Sequence, residues 1–313
     1  MIVQHNMTAL NANRMLGVTN SALAKRTEKL SSGYRVNRAA DDAAGLSISE
    51  KMRGQIRGLN QASRNAQDGI SLIQTAEGAL NEIHSVLQRM RELTVQASND
   101  TYVTADRLAI AKEVKALTSE ITRIATQTEF NKMKLLSGGF KQKVLQVGAN
   151  SKQTISFKIS CMTANWLGLA QNPPANTIGK TGGMDIAAVL SALAKGDSAA
   201  ATQYGFKGTM EMVGNKAAGG VNITKLITVV NKAISKVSLQ RSALGALQNR
   251  LDHTVANADN MAENLQSSES KIRDANLADE MVSYSSSSIL QQAGQSMLAQ
   301  ANQATQGILS LLG

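Results

Sequence analysis

The sequence predicts a mainly α-helical protein, in which N- and C-terminal segments form a long antiparallel helical bundle or coiled coil, with a β-hairpin and a small central insert. Only 3% of the 313 residues are aromatic and two are proline, whereas small, aliphatic and amide residues are abundant, as in long packed helices. Apolar residues recur at spacings of three and four on both sides of residues 172–222. The simplest arrangement therefore folds the chain back on itself, with N-terminal helices against C-terminal ones.

Two helices and a hairpin are predicted in the first half. Helical spacing of apolar residues extends from Asp42 to Ser98, is interrupted at Asn99, and resumes from Asp106 to Thr128. A short polar turn between two such helices places them antiparallel. Beyond them, residues 144–147 and 155–159 predict two short strands around a turn at residues 148–151.

The second half returns to a helical pattern after an irregular segment. Gly and Pro interrupt residues 172–222, which predict a small variable insert. From Leu226 to Ile272 the four-three alternation continues for over six heptads, which is typical of coiled-coil packing. We therefore predict three parts, namely a terminal coiled-coil domain, a helical bundle with the hairpin, and the insert. The terminal coiled-coil domain comprises residues 1–40 and 272–313. The helical bundle with the hairpin comprises residues 41–171 and 223–271, and the insert comprises residues 172–222.

The two ends predict packing inside an assembly. After Glu280 no side chain is charged for 33 residues, although a helical apolar stripe continues. A helix on the surface of a monomer normally carries Lys and Glu, whereas an uncharged face is much less costly to bury. A matching N-terminal stripe ends at Ser31-Ser32-Gly33. The residues predicted to carry self-assembly are Val3, Met7, Leu10, Leu16, Leu23, Leu30, Leu290, Met297, Ala301, Ile308 and Leu311.

Either terminal helix alone would be marginally stable in water, because most helical stability comes from tertiary packing. We therefore expect both ends to be disordered in the free subunit and to fold on assembly.

Composition argues against several other functions. The formal charge is +10, but the lysines between Lys132 and Lys236 are scattered and form no dense run, so no nucleic-acid binding is predicted. No apolar stretch reaches the ~18 residues of a membrane span, and no membrane insertion is predicted. The N-terminal residues show no cleavable signal peptide.

No catalytic, cofactor or metal site is predicted either. Residues 174–181 look like a phosphate-binding loop, but Pro174 occupies the position at which that motif requires Gly. His5, His84 and His253 lie far apart in the sequence, and Cys161 is the single cysteine. An enzyme hidden in residues 171–222 is the alternative from another class, although that segment contains no constellation of ligands or nucleophiles.

Five segments of the sequence carry a family resemblance: Lys29–Ser49, Leu87–Leu93, Glu129–Leu136, Ile289–Gln303 and Ile308–Leu312. They resemble motifs of the bacterial flagellins. The resemblance covers residues 1–170 and 223–313, and Ser285–Ser288 departs from the family pattern. It implies a non-enzymatic subunit that polymerises into an extracellular helical filament used for swimming. The terminal helices would line an inner tube, the bundle and hairpin would form the next shell, and the insert would lie on the outer surface. A flagellar hook-associated junction protein is the alternative.

The resemblance also implies partners. These are other copies of the chain, hook-associated and cap proteins, an export chaperone, the flagellar type III export machinery and, for some flagellins, a Toll-like receptor. The residues that match the receptor-contacting positions are Leu87, Arg89, Glu92, Leu93 and Glu113. The alternative is that Leu87 and Leu93 pack inside the bundle while Arg89 and Glu92 form ion pairs on a helix face.

Overall fold

A computed structural model describes residues 6–99, 101–170 and 219–312. Side chains are described for all of these residues except 219–225 and 304–312. The predicted class is confirmed, because long helices account for most of these residues. Residues 172–218 of the predicted insert lie outside the described residues. The helix that follows begins at Gly219, earlier than residue 223, where the second part of the helical bundle was predicted to begin. The helices are α1 Met7–Ser32, α2 Ala43–Ala97, α3 Thr104–Gln127, α4 Ala164–Leu167, α5 Gly219–Arg273 and α6 Leu277–Leu312.

Two antiparallel strand pairs lie between α3 and α4. The predicted hairpin is confirmed as β3 (Lys143–Gln146) and β4 (Thr154–Phe157), with Leu145 opposite Ile155. A smaller pair, β1 (Glu129–Phe130) with β2 (Met133–Lys134), was not predicted. Strands of two residues are too short to show the alternation by which a sequence indicates a strand.

The chain divides into two compact units. Unit 1 comprises Met1–Asn60 and Asp259–Gly313, and unit 2 comprises Gln61–Ala258. The long helices α2 and α5 contribute residues to both units, so the unit boundaries fall inside helices. The three-part division predicted from sequence stays a prediction.

Unit 2 has a continuous apolar core. Side chains of α2 with no exposed surface recur at spacings of three and four and pack with apolar residues of α3, α5 and the β3–β4 hairpin. The rings of Phe140 and Phe157 lie 5.4 Å apart between centroids. Each fully buried aliphatic side chain contributes about 1.5–3 kcal/mol relative to exposure. The fully buried side chains of α2 in this core include Ile73, Leu80, Ile83, Leu87 and Met90.

In unit 1, α1 and α6 pair antiparallel. The Asn6 side-chain amide donates to the carbonyl oxygen of Ala301 at 2.9 Å, and Arg26 lies 2.7 Å from Glu280 at the other end of the pair. The described parts of both ends therefore pair with each other, through contacts that the expectation from each helix alone left out. The disorder of both ends in the free chain stays a prediction.

A connector follows α1 and runs beside the end of α5. Gly33 ends α1 in the left-handed conformation (φ 73°), which favours glycine. The Arg35 amide donates to the Arg273 carbonyl at 2.7 Å, and the Ala275 amide donates to the Gly33 carbonyl at 3.0 Å. Further along, the Arg38 amide donates to the Asp41 carboxylate at 3.0 Å, which lowers the pKa of Asp41. The connector thus has fixed backbone partners.

The turn between β1 and β2 contains two residues in a left-handed backbone conformation, which a substitution can test. Asn131 and Lys132 both have positive φ (47° and 62°), as in a type I′ turn, where Gly is preferred at the second position. We expect Lys132→Gly to raise the free energy of unfolding by ~0.5–1 kcal/mol, since a side chain is strained in this conformation. Chemical denaturation measures this change.

Lys134→Gly is the matched control, because Lys134 lies in β2 and its ammonium is 2.6 Å from Glu129. That substitution should lower the free energy of unfolding, as Gly weakens a strand. Equal effects of the two substitutions would contradict the assignment of the turn.

Candidate assembly surface

The contact between α1 and α6 consists largely of small and polar residues. Ala9, Ala12, Leu16, Thr19, Leu23, Arg26 and Leu30 of α1 are half-buried at spacings of three and four. On α6 the corresponding positions are Glu280, Tyr284, Ser287, Gln291, Gly294, Leu298 and Ala301. We call these two sets the seam. A Cβ at Gly294 would lie 3.3 Å from Cδ1 of Leu16, so glycine permits close approach of the helices there.

Larger apolar side chains of the same helices are exposed. They lie outside the seam, and each of them is more than half exposed, as with Leu290 at 59% and Met297 at 62%. This set, which we call the apolar outer surface, comprises Met7, Leu10, Met15 and Val18 of α1 and Leu277, Met281, Val282, Ile289, Leu290 and Met297 of α6. The pair therefore carries most of its large apolar residues outside, whereas a soluble two-helix coiled coil buries them between its helices. Extended apolar surface of this kind marks contacts with other chains.

The residues predicted for self-assembly fall into three groups. Leu16, Leu23, Leu30 and Ala301 lie in the seam, while Met7, Leu10, Leu290 and Met297 belong to the apolar outer surface. Val3 lies outside the described residues, as do the side chains of Ile308 and Leu311.

Part of this surface was not predicted from the sequence. The exposed large apolar residues outside the predicted set are Met15, Val18, Leu277, Met281, Val282 and Ile289. A search for large apolar residues on both sides of each helix would have found them.

The residues that match the receptor-contacting positions separate into surface and core. Arg89 of α2 lies 3.1 Å from Glu92 and 3.0 Å from Glu113 of α3, and all three side chains are exposed. Hydrogen bonds with Glu92 and then Glu113 raise the pKa of Arg89. Leu87 is 0% exposed and Leu93 is 2% exposed, and both belong to the unit 2 core. Their side chains therefore offer no surface to a partner.

Metal clusters and membrane-spanning helices are both absent from the described residues. Within residues 6–99, 101–170 and 219–312, no three His, Cys, Asp or Glu side chains are grouped as metal binding requires. None of the helices in these ranges combines the length and the apolar character needed to cross a membrane. The loop-like residues 174–181 lie outside the described part of the chain.

Comparison with protein families and known proteins points to one group. Residues 3–141 match the bacterial flagellin N-terminal helical region, and residues 227–312 match the bacterial flagellin C-terminal helical region. The chain is 47% identical to a flagellin of Halalkalibacterium halodurans, with 100% of both chains covered. It is 44% identical to the flagellar filament 31.3 kDa core protein of Treponema maltophilum, again with 100% of both covered.

A solved flagellar hook-associated protein of Vibrio parahaemolyticus shares the fold. The similarity covers 75% of this chain and 98% of that one, with a TM-score of 0.52 and 14% sequence identity. At this level of identity the comparison supports the architecture alone.

A helix pair with large apolar residues on its outside, attached to a separately packed helical unit, defines the chain as a structural subunit of a larger assembly. The matches to both terminal regions and to full-length relatives identify which assembly this is. The chain belongs to the bacterial flagellin family and is a subunit of the flagellar filament.

Proposed function

We propose that the chain polymerises through the apolar outer surface of α1 and α6. The observation that carries this proposal is the exposure of ten large apolar residues on a helix pair in which α6 has no charged side chain beyond Glu280. Contacts between different surfaces of identical subunits produce open helical polymers when the rotation between copies does not close a ring. Uncharged helices suit the centre of such a polymer, where burial of an unpaired charge would be costly.

In this proposal the terminal helices line the inner tube of an extracellular filament used for swimming. The helical bundle predicted at residues 41–171 and 223–271, with its hairpin, forms the surrounding shell, and residues 172–222 lie on the outer surface. The chain has a mechanical role and catalyses no reaction. Its contacts are with copies of itself along the filament and with hook-associated and cap proteins at the two ends.

The proposal extends to export and to host recognition. A chaperone and the flagellar type III machinery would export the chain unfolded, without a cleavable signal peptide. The narrow seam supports this, because a helix pair with few buried residues opens at low cost. A Toll-like receptor would contact the exposed charges of Arg89, Glu92 and Glu113, and the burial of Leu87 and Leu93 restricts the contact to these three of the five matched residues.

Electron microscopy of purified protein under salting-out conditions tests the proposed function. Long tubes of uniform diameter are expected of a filament subunit. Short oligomers that stop growing at the same protein concentration would instead favour the hook-associated junction protein and would contradict polymerisation into a filament.

A further inference from the structure

Two helix segments of unit 1 each carry charges of a single sign. Residues 51–60 of α2 contain three cations and no Asp or Glu, whereas residues 259–270 of α5 contain three carboxylates and no Lys or Arg. Two charged side chains in each segment lie four residues apart and are exposed. We call Arg53 and Arg57 the α2 basic pair, and Asp259 and Glu263 the α5 acidic pair.

Neither pair has a partner of opposite charge within the part of the chain that the structure describes. No described residue forms an ion pair or a hydrogen bond with any of the four side chains. The third carboxylate of the α5 segment differs, because Glu269 has a side chain that is 15% exposed and accepts a hydrogen bond from Ser49 of α2 at 3.0 Å. One carboxylate is thus used within the subunit, and the two pairs are left for contact with another molecule.

The spacing within each pair is unfavourable for its own helix. Side chains four residues apart on a helix are neighbours, and two like charges in these positions repel each other. Elsewhere the chain places opposite charges at helical spacing, since Arg89 lies 3.1 Å from Glu92 and Arg123 pairs with Glu120. Opposite charges supplied from outside the subunit would offset the repulsion in both pairs.

The two pairs match each other in charge and in spacing. Four residues of α-helix rise about 6 Å, so the separation along the helix is the same in both pairs. Two copies of the chain can therefore bring both cations of one copy against both carboxylates of the other. The partner that the α2 basic pair fits is thus a second copy of this chain.

We propose that the α2 basic pair of one copy contacts the α5 acidic pair of a neighbouring copy in the filament. The inference rests on the proposed function and adds a second contact to it, because both pairs lie outside α1 and α6 and therefore outside the apolar outer surface. Complementary charges fix the register of two surfaces and disfavour other alignments. The apolar outer surface supplies burial, and the charged pairs determine which alignment of neighbouring copies is favoured.

Reversal of the charge of each pair tests the proposal. The basic-reversed chain carries Arg53→Glu with Arg57→Glu, and the acidic-reversed chain carries Asp259→Lys with Glu263→Lys. Either chain alone would bring like charges together at every contact, so we expect its critical concentration to rise at least about 100-fold. Sedimentation of polymer grown from wild-type filament fragments measures this value in about 0.1 M salt, where charges interact over about 10 Å.

An equimolar mixture of the two reversed chains should polymerise again, at a critical concentration within about tenfold of the wild-type value. In an alternating polymer the Glu side chains of the basic-reversed α2 meet the Lys side chains of the acidic-reversed α5, and the two unaltered pairs also meet each other. If the pairs acted only within one subunit, each chain of the mixture would keep its own like charges. Polymerisation of the mixture therefore distinguishes contact between copies from attraction inside one copy.

Lys51→Glu is the matched control for the single substitution Arg53→Glu. Lys51 is exposed and lies two residues before Arg53, so the two side chains do not face the same side of α2. Both substitutions change the net charge equally, but only Arg53→Glu should raise the critical concentration. Circular dichroism checks that each variant is folded. Arg53→Gln with Arg57→Gln removes the repulsion within α2, so it provides a folded test in which the critical concentration should rise about tenfold.

Three results would overturn the inference while wild-type chains form tubes. These are a wild-type critical concentration in both reversed chains, an equal effect of Lys51→Glu and Arg53→Glu, and no polymer in the equimolar mixture. Failure of the proposed function has a different signature, because wild-type chains themselves would then form no tubes, and this inference would fail with it.

Discussion

Leu290→Asp is expected to abolish polymerisation while leaving the free subunit folded. Leu290 is 59% exposed, so its substitution should change the free energy of unfolding by no more than ~0.5 kcal/mol. In the polymer the aspartate would be buried at every subunit contact without a counter-charge on α6. Such burial costs several kcal/mol, which corresponds to a critical concentration at least ~100-fold higher.

Sedimentation of polymer over a series of protein concentrations measures the critical concentration of each variant. Leu290→Met is the matched control, since it keeps an apolar side chain of similar volume and should polymerise as the wild type does. Leu290→Gln should fall between the two, because it removes the apolar contact without adding a charge. Normal polymerisation of Leu290→Asp would show that position 290 stays in solvent in the polymer.

Leu87→Ala is expected to lower the free energy of unfolding of unit 2 by ~2–5 kcal/mol. Leu87 is 0% exposed in a core that includes residues of α2, α3 and α5, so truncation leaves a cavity. Arg89→Ala removes a side chain that is 52% exposed and pairs with Glu92 and Glu113 in contact with solvent. Exposed ion pairs contribute about 0–1 kcal/mol, so this variant should melt close to the wild type.

These two variants separate a receptor contact from a folding effect. Chemical denaturation, followed by circular dichroism, gives the stability of each, and a receptor-reporter assay on folded protein gives the response. We expect Arg89→Ala to reduce the response at unchanged stability. Any loss of response in Leu87→Ala should follow the unfolded fraction. A Leu87→Ala protein as stable as the wild type would contradict the packing of unit 2.

The sequence is sufficient to predict the long helices because their signals are local. The stripe of α2 extends over 55 residues, and Gly33 ends α1 at the place where its left-handed conformation is needed. The β3–β4 hairpin has a similar local signal, with strands alternating around a turn. The β1–β2 pair and the four-residue helix α4 were not predicted, because each is too short for a periodic pattern to repeat along it.

The assembly surface could be predicted only in part, because the orientation of the two terminal helices depends on their mutual packing. Apolar residues at positions 16 and 290 carry the same hydrophobic signal, yet Leu16 lies in the seam and Leu290 lies on the apolar outer surface. The seam of α6 includes small and amide residues such as Ser287, Gln291 and Gly294. Such residues do not contribute to a pattern of apolar spacing. The pattern therefore cannot indicate which face of α6 contacts α1.

Methionine oxidation of the wild-type chain, free and polymerised, tests the central claim most directly. Met7, Met281 and Met297 are 66%, 52% and 62% exposed in the subunit, whereas Met90 is 0% exposed and is an internal control. Peroxide should oxidise the three exposed methionines rapidly in the free subunit and leave Met90 protected, as mass spectrometry would show. In the polymer we predict that all three become protected to the level of Met90. Equal oxidation rates of Met297 in subunit and polymer would contradict burial of the apolar outer surface on assembly.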